Sequence, residues 1–188
     1  MSDTRRPNRG PSAAAENRAA LIAAASHVFA GSGYDAPLSA IARAAGVGQG
    51  SLYRHFPDRV SLALAVFEDG VSELEALAAE PGATLDDVLA LMTEHTIAST
   101  AFIDMVSVSP ADPRMIAVRG RVADLLDDVL GRARRAGAVR ADLTTEDLVM
   151  AVGMLAGVLR RTPAPARRQA AERVWRMLRH GIYPPDRP

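Results

Sequence analysis

The spacing of the apolar residues is the strongest constraint on the fold of this chain. Along nearly the whole sequence these residues recur with a period close to 3.6, the spacing of one face of an α-helix. No β-branched run with a period of two reaches the length of a strand. The sequence therefore predicts an all-α protein of about nine helices.

Glycine, proline and capping residues set the expected ends of these helices. Thr84 and Thr144 are each followed three residues later by aspartate, the pattern of a capping box. Pro110 and Pro113 frame a turn or a further short helix. The expected long and short helices span about 16–31, 37–45, 49–55, 58–79, 85–106, 115–137, 145–161 and 166–180. Residues 1–14 lack periodicity and are predicted to form a disordered arm.

Composition excludes several classes of function. The chain has no cysteine, which rules out disulfides, thiol catalysis and thiolate metal sites. Its four histidines are scattered without the spacing of metal ligands, and no apolar stretch is long enough to span a membrane. The glycines at 46–50 superficially suggest a phosphate-binding loop, but no strand precedes them. We therefore expect no catalytic residue, no metal, no cofactor and no membrane partner.

The net charge of zero hides an uneven distribution. Residues 1–60 carry seven arginines against four acidic residues, and residues 61–131 carry three against thirteen. Residues 132–188 carry twelve arginines against five acidic residues. The basic first segment is compatible with an anionic partner, and solvated helix faces explain the pattern equally well.

A pair of short helices between residues 38 and 57 carries the functional signal. The segment reads LSAIARAAGVGQGSLYRHF, with Gly46 in the turn between two helices of about two turns each. This arrangement is a helix-turn-helix. Gln49 and Arg54 would face outward, where glutamine reads adenine and arginine reads guanine or phosphate, and Ser51 can bond to either. The alternative is an ordinary helical corner with a polar outer face.

Three runs of sequence carry a family resemblance: LIAAASHVFA at 21–30, GSGY at 31–34 and IARAAGVGQGSLYRHFPDR at 41–59. Together they resemble the DNA-binding domain of the tetracycline-repressor (TetR) family of transcriptional regulators. The resemblance implies that the helix at 49–55 enters the major groove and that Tyr53, His55 and Arg59 touch phosphates. It departs from the family at Gly48, where serine or threonine is common, and at residues 36–38, where a threonine-rich start is usual.

The same resemblance divides the chain into a DNA-binding domain at 15–60 and a helical body at 61–188 that binds a ligand and forms a dimer. In the body, polar His95 and Ser99 interrupt the apolar face of the helix at 85–106. A ligand pocket could form there, although a core histidine or a stripe that drifts to solvent explains the interruption as well. The residues predicted to line such a pocket are Met92, His95, Ser99, Phe102, Met154 and Trp175.

The predicted dimer interface comprises the last two long helices, because the family usually pairs them across a four-helix contact. Gly153 and Gly157 lie four residues apart and would let a second helix approach closely; packing inside the subunit is the alternative. The resemblance implies a cytoplasmic, nucleoid-associated homodimer that acts as a repressor, and the residues themselves do not distinguish a repressor from an activator. A small-molecule effector would release it from a pseudo-palindromic operator in double-stranded DNA. A helical protein-interaction module without specific DNA binding is the competing hypothesis.

Overall fold

The computed structural model describes residues 10–98 and 112–182. The described residues form helices and turns without a strand, which confirms the all-α prediction. Residues 10–98 and 112–182 contain eight α-helices and one short 3₁₀ helix (Ala164–Ala166). The α-helices are α1 (Gly10–Ser32), α2 (Leu38–Ala44), α3 (Gln49–His55), α4 (Arg59–Ala79), α5 (Leu85–Ala98), α6 (Pro113–Arg135), α7 (Thr145–Arg160) and α8 (Arg167–Ile182).

The helix ends follow the sequence signals closely, with two differences. Helix α1 begins at Gly10, inside the predicted arm, because the alanines at 13–15 are strong helix formers that extend it. Pro37 is the N-cap of α2 with extended backbone, not its first helical residue. The expected continuation of α5 through 99–106 lies outside the described residues. No helix in the described part of the chain is long and apolar enough to cross a bilayer.

Helices α5 and α7 begin at the predicted caps. The Thr84 Oγ1 accepts a hydrogen bond from the Asp87 amide at 3.2 Å, and the Asp87 carboxylate accepts one from the Thr84 amide at 2.9 Å. Thr144 and Asp147 form the same reciprocal pair at the start of α7. Asp58 caps α4 in the same way through Ser61. Each pair satisfies backbone amides that have no partner within the helix.

Two main clusters of buried side chains divide the fold. The first cluster, which we call the head core, lies among α1, α2, α3 and the first half of α4. It also contains Met115 and Val118 from the first turns of α6, which are 0% and 3% exposed. The second cluster, the body core, lies among the end of α4, α5, α6, the start of α7 and the end of α8. The packing that surrounds the helix-turn-helix therefore extends beyond residue 60 and includes part of α6.

Helices α4 and α6 lie side by side and run in the same direction. At their beginnings the Arg114 guanidinium lies 3.7 Å from the Asp58 carboxylate. Further along, Arg121 donates two hydrogen bonds to the Glu75 carboxylate at 2.7 and 3.0 Å. Near their ends Arg132 donates to the carbonyl oxygen of residue 78 at 2.9 Å. These contacts join the head to the body along the whole length of α4.

Candidate DNA-binding site

The turn between α2 and α3 has the geometry of a Schellman motif. Gly46 adopts a φ of +66°, and its amide donates to the Arg43 carbonyl at 3.1 Å. The Val47 amide donates to the Ala42 carbonyl at 3.0 Å, which completes the motif. A side chain at position 46 would strain this left-handed conformation. Gly46 therefore ends α2 and turns the chain toward α3, as the sequence predicted.

Helix α3 is anchored by one face and presents the other to solvent. Leu52 and Phe56 are 1% and 2% exposed and belong to the head core. On the opposite side Gln49, Tyr53 and Arg54 are exposed, and Tyr53 is unusual because half of this large ring is accessible. The two remaining predicted contact residues, Ser51 and His55, are half-buried at the edges of the exposed face. The predicted contact residues of α3 are thus gathered on one side of a short, well-anchored helix.

The charge around α3 suits an anionic partner. The segment from residue 38 to residue 56 contains no acidic residue, whereas Arg43 and Arg54 are both exposed. Arg18 of α1 lies over the Phe56 ring, 5.3 Å from its centroid, and is also exposed. Guanidinium groups bind phosphate oxygens well, so this face can contact a nucleic-acid backbone as well as bases.

Arg59 occupies a different environment from the other predicted contact residues. It is half-buried at the first position of α4, and its Nη1 donates to the carbonyl oxygens of Tyr34 and Ala36. Its guanidinium carbon lies 5.5 Å from the centroid of the Tyr34 ring. Arg59 is therefore engaged with the connection between α1 and α2 rather than standing free beside α3.

Two of the six predicted pocket residues belong to the body core, Met92 as a buried side chain and Trp175 as a partly buried one. Met92 is almost fully buried on α5, and Trp175 of α8 donates from its indole nitrogen to the Thr93 hydroxyl at 2.8 Å. His95 instead faces α4, where its Nε2 lies 3.0 Å from the Glu73 carboxylate. Two further predicted residues, Ser99 and Phe102, lie outside the described residues.

The absence of a side chain at Gly70 makes the position of His95 possible. A Cβ atom placed there would lie 3.1 Å from the His95 Nδ1. The polar interruption that suggested a pocket is therefore satisfied, at His95, by a contact between α5 and α4.

Met154 points away from the other predicted pocket residues. It is 47% exposed on the outer face of α7, whereas Leu155 and Leu159 of the same helix are buried. Gly153 and Gly157 share that outer face, and neither would meet another atom within 4 Å if it carried a Cβ. The glycines thus lie on the surface of the subunit and do not pack inside it. Five of the seven large apolar side chains exposed in the described part of the chain belong to α7 or α8: Val149, Met150, Met154, Val158 and Met177.

Both halves of the sequence match regulator families. Residues 21–66 match the family model described as bacterial regulatory proteins, TetR family. Residues 80–184 match the model described as the C-terminal domain of SbtR-like transcriptional regulators. The second match alone covers more than half of the chain. The chain belongs to the TetR family of transcriptional regulators.

Solved structures of TetR-family regulators are similar over nearly the whole chain. A TetR transcriptional regulator from Streptomyces coelicolor is 31% identical with a TM-score of 0.65, and the match covers 89% of this chain and 98% of that one. A regulator from Mycobacterium vanbaalenii is 29% identical with a TM-score of 0.60, covering 92% and 98%. The regulator TylP from Streptomyces fradiae is 25% identical with a TM-score of 0.57, covering 92% and 89%. The curated proteins give no match.

With the TetR family established, the function is that of a DNA-binding transcriptional regulator whose C-terminal domain binds ligands. Sequence reasoning did not find the contacts of Arg59 with Tyr34 and Ala36, nor the burial of Met115 in the head core. No local pattern signals either feature, since the partners are distant in the sequence. The exposed face of α7 did have a signal: Met150, Met154 and Val158 are spaced four residues apart, opposite the buried leucines.

Proposed function

We propose that this TetR-family chain is a repressor that binds a pseudo-palindromic operator in double-stranded DNA as a homodimer and is released by a small-molecule effector. The observation that carries the proposal is the acid-free face of α3, on which Gln49, Tyr53 and Arg54 are exposed around a buried anchor. The protein acts in the cytoplasm, at the nucleoid. Repression is the simplest consequence of occupying a promoter, because a bound dimer blocks access to the DNA beneath it.

The residues of α3 divide between base and backbone contacts. Gln49 and Ser51, near the start of the helix, bond to base edges in the major groove. Arg54 reads guanine or binds a phosphate, and Tyr53 and His55 bind phosphates at the groove edge. Phosphate contacts fix the orientation of the helix, and the base contacts select the sequence.

A second copy of this chain covers the outer face of α7 and α8. One helix-turn-helix reads only a few base pairs, so specificity requires two copies in successive major grooves. The exposed side chains of Met150, Met154 and Val158 provide an apolar surface of the kind that dimer interfaces bury. Gly153 and Gly157 lie open on this surface and permit close approach of the partner helix.

The effector binds in the body, between α5 and α8. Met92 and Trp175 supply an apolar wall, and the Thr93 hydroxyl is a polar group beside it. Sites for small molecules combine apolar walls with a few polar groups in this way. Ser99 and Phe102 remain predicted lining residues and lie outside the described part of the chain. His95 faces α4 and lies outside this pocket, and Met154 belongs to the dimer surface.

The test is selection of duplexes from a random-sequence library by the full-length protein, followed by binding measurements on the enriched sequence. Gln49→Ala is expected to relax the preference at one position in each half-site, with a cost of about 1–3 kcal/mol. Ser72→Ala, at an exposed neutral polar residue of α4 outside both the recognition helix and the dimer surface, is the control and leaves binding unchanged. Failure of the wild type to enrich any sequence would refute DNA recognition and support a protein-interaction module.

A further inference from the structure

The contacts of Arg59 indicate a structural role that its place in the sequence does not suggest. It is the first residue of α4, three residues after the buried Phe56 that ends the recognition helix. Its Nη1 carries two hydrogens and donates to two carbonyl oxygens, those of Tyr34 and Ala36, at 2.5 Å each. The same guanidinium lies against the Tyr34 ring. Three separate contacts thus tie one side chain to a segment that precedes it by more than twenty residues.

The carbonyl oxygens that Arg59 binds belong to the buried connection between α1 and α2. Tyr34 and Ala36 are 7% and 4% exposed, and an unpaired buried carbonyl is costly. The segment leads directly into α2, whose N-cap Pro37 makes no side-chain capping bond. Burial raises the pKa of the Tyr34 hydroxyl, although the charge of Arg59 partly lowers it. Arg59 therefore supplies from α4 the anchoring that α2 lacks at its own start.

We propose that Arg59 is a positioning residue: it fixes the start of α2 against the start of α4 and thereby holds α3 at the angle at which it reads DNA. The proposal rests on the DNA-reading function proposed above. It differs from a phosphate contact, because a phosphate contact requires only a positive charge at this position. The two Nη1 hydrogen bonds occur together with the contact of the planar guanidinium on the Tyr34 ring, and the shorter lysine side chain with its compact ammonium does not reproduce both.

Arg59→Lys and Arg59→Ala in the full-length protein separate the two roles. The probe is a duplex enriched by the wild type from a random library, and its affinity is measured over a range of salt concentrations. Positioning predicts that lysine and alanine lose affinity alike, by about tenfold or more, since neither keeps the two carbonyl bonds together with the contact on the Tyr34 ring. It also predicts that the salt slope of Arg59→Lys stays close to that of the wild type. In both variants the amide hydrogens of α2 should exchange faster, while exchange in α7 and α8 stays unchanged.

A phosphate contact predicts the opposite pattern. Arg59→Lys would then bind within about threefold of the wild type, and Arg59→Ala would lower the salt slope by roughly one unit. Either that result, or a loss of affinity without faster exchange in α2, overturns the proposal.

Tyr34→Leu provides a second variant that leaves the charge at residue 59 intact. It removes the ring beneath the guanidinium but keeps the backbone carbonyl. Positioning predicts weaker binding and faster exchange in α2, whereas wild-type behaviour of this variant contradicts it.

Circular dichroism shows whether each variant is folded at the assay temperature. If a variant is partly unfolded there, hydrogen exchange at a lower temperature still reports on α2. Arg135→Ala, an exposed arginine at the end of α6 and outside the proposed dimer surface, serves as the charge control. A wild type that enriches no duplex refutes DNA reading itself, a result distinct from each of these.

Discussion

Replacing Met115 by alanine tests whether the first turn of α6 belongs to the head. Met115 is 0% exposed in the head core, although it lies about sixty residues beyond the end of the helix-turn-helix. Truncating a fully buried methionine removes its transfer free energy and leaves a cavity, at a total cost of about 2–5 kcal/mol. For a chain of this size that corresponds to a fall in Tm of about 5–15 °C.

The assay uses two probes of unfolding. Circular dichroism follows all the helices, while Trp175, the single tryptophan, reports on the body core. Because α6 contributes to both clusters, both probes should shift together in Met115→Ala. The matched control is Ile116→Ala, whose side chain is 55% exposed on the same turn and should change stability by less than about 0.5 kcal/mol. Equal effects of the two substitutions, or a loss below about 1 kcal/mol for Met115→Ala, would refute the embedding of α6 in the head.

Two further predictions concern the body. Met154→Glu places a charge on the proposed dimer surface, so this variant should sediment as a monomer and bind the operator more weakly. Ile116→Glu, at a similarly exposed position on α6, is the control and should stay dimeric. A dimeric Met154→Glu would put the interface elsewhere. Hydrogen bonds from Thr144 hold the pKa of the Asp147 carboxyl below its ordinary value. Its contribution to stability is therefore present above about pH 4 and is lost as pH falls further. Asp147→Asn should reduce this acid sensitivity in denaturant unfolding measured across pH, and an unchanged profile would contradict the capping argument.

The helix-turn-helix could be predicted from the sequence because its signals are local. Gly46 marks a left-handed turn, Asp58 caps the next helix, and the apolar spacing of Leu52 and Phe56 identifies the buried side of α3. Each signal lies within a few residues of the feature that it determines. The predicted bounds of α3 accordingly match the structure.

The tertiary partners could not be predicted in the same way. Arg59 bonds across 25 residues to Tyr34 and across 23 to Ala36. Periodicity identifies a residue as apolar or polar on a face, but it does not state which element covers that face. Met154 illustrates the limit: α7 is apolar on two sides, and only the packing distinguishes the side facing the body core from the side facing solvent.

The way in which α4 and α6 are joined restricts how an effector in the body can move the recognition helix. The Arg121–Glu75 pair links the helices along their length, Arg132 binds the end of α4, and Met115 is buried in the head core. A tilt of α4 alone would disrupt these contacts, whereas a joint movement of α4 and α6 preserves them and so requires less free energy. That free energy comes only from the difference in effector affinity between the two arrangements. By linkage, the operator must then weaken effector binding by the same factor as the effector weakens operator binding.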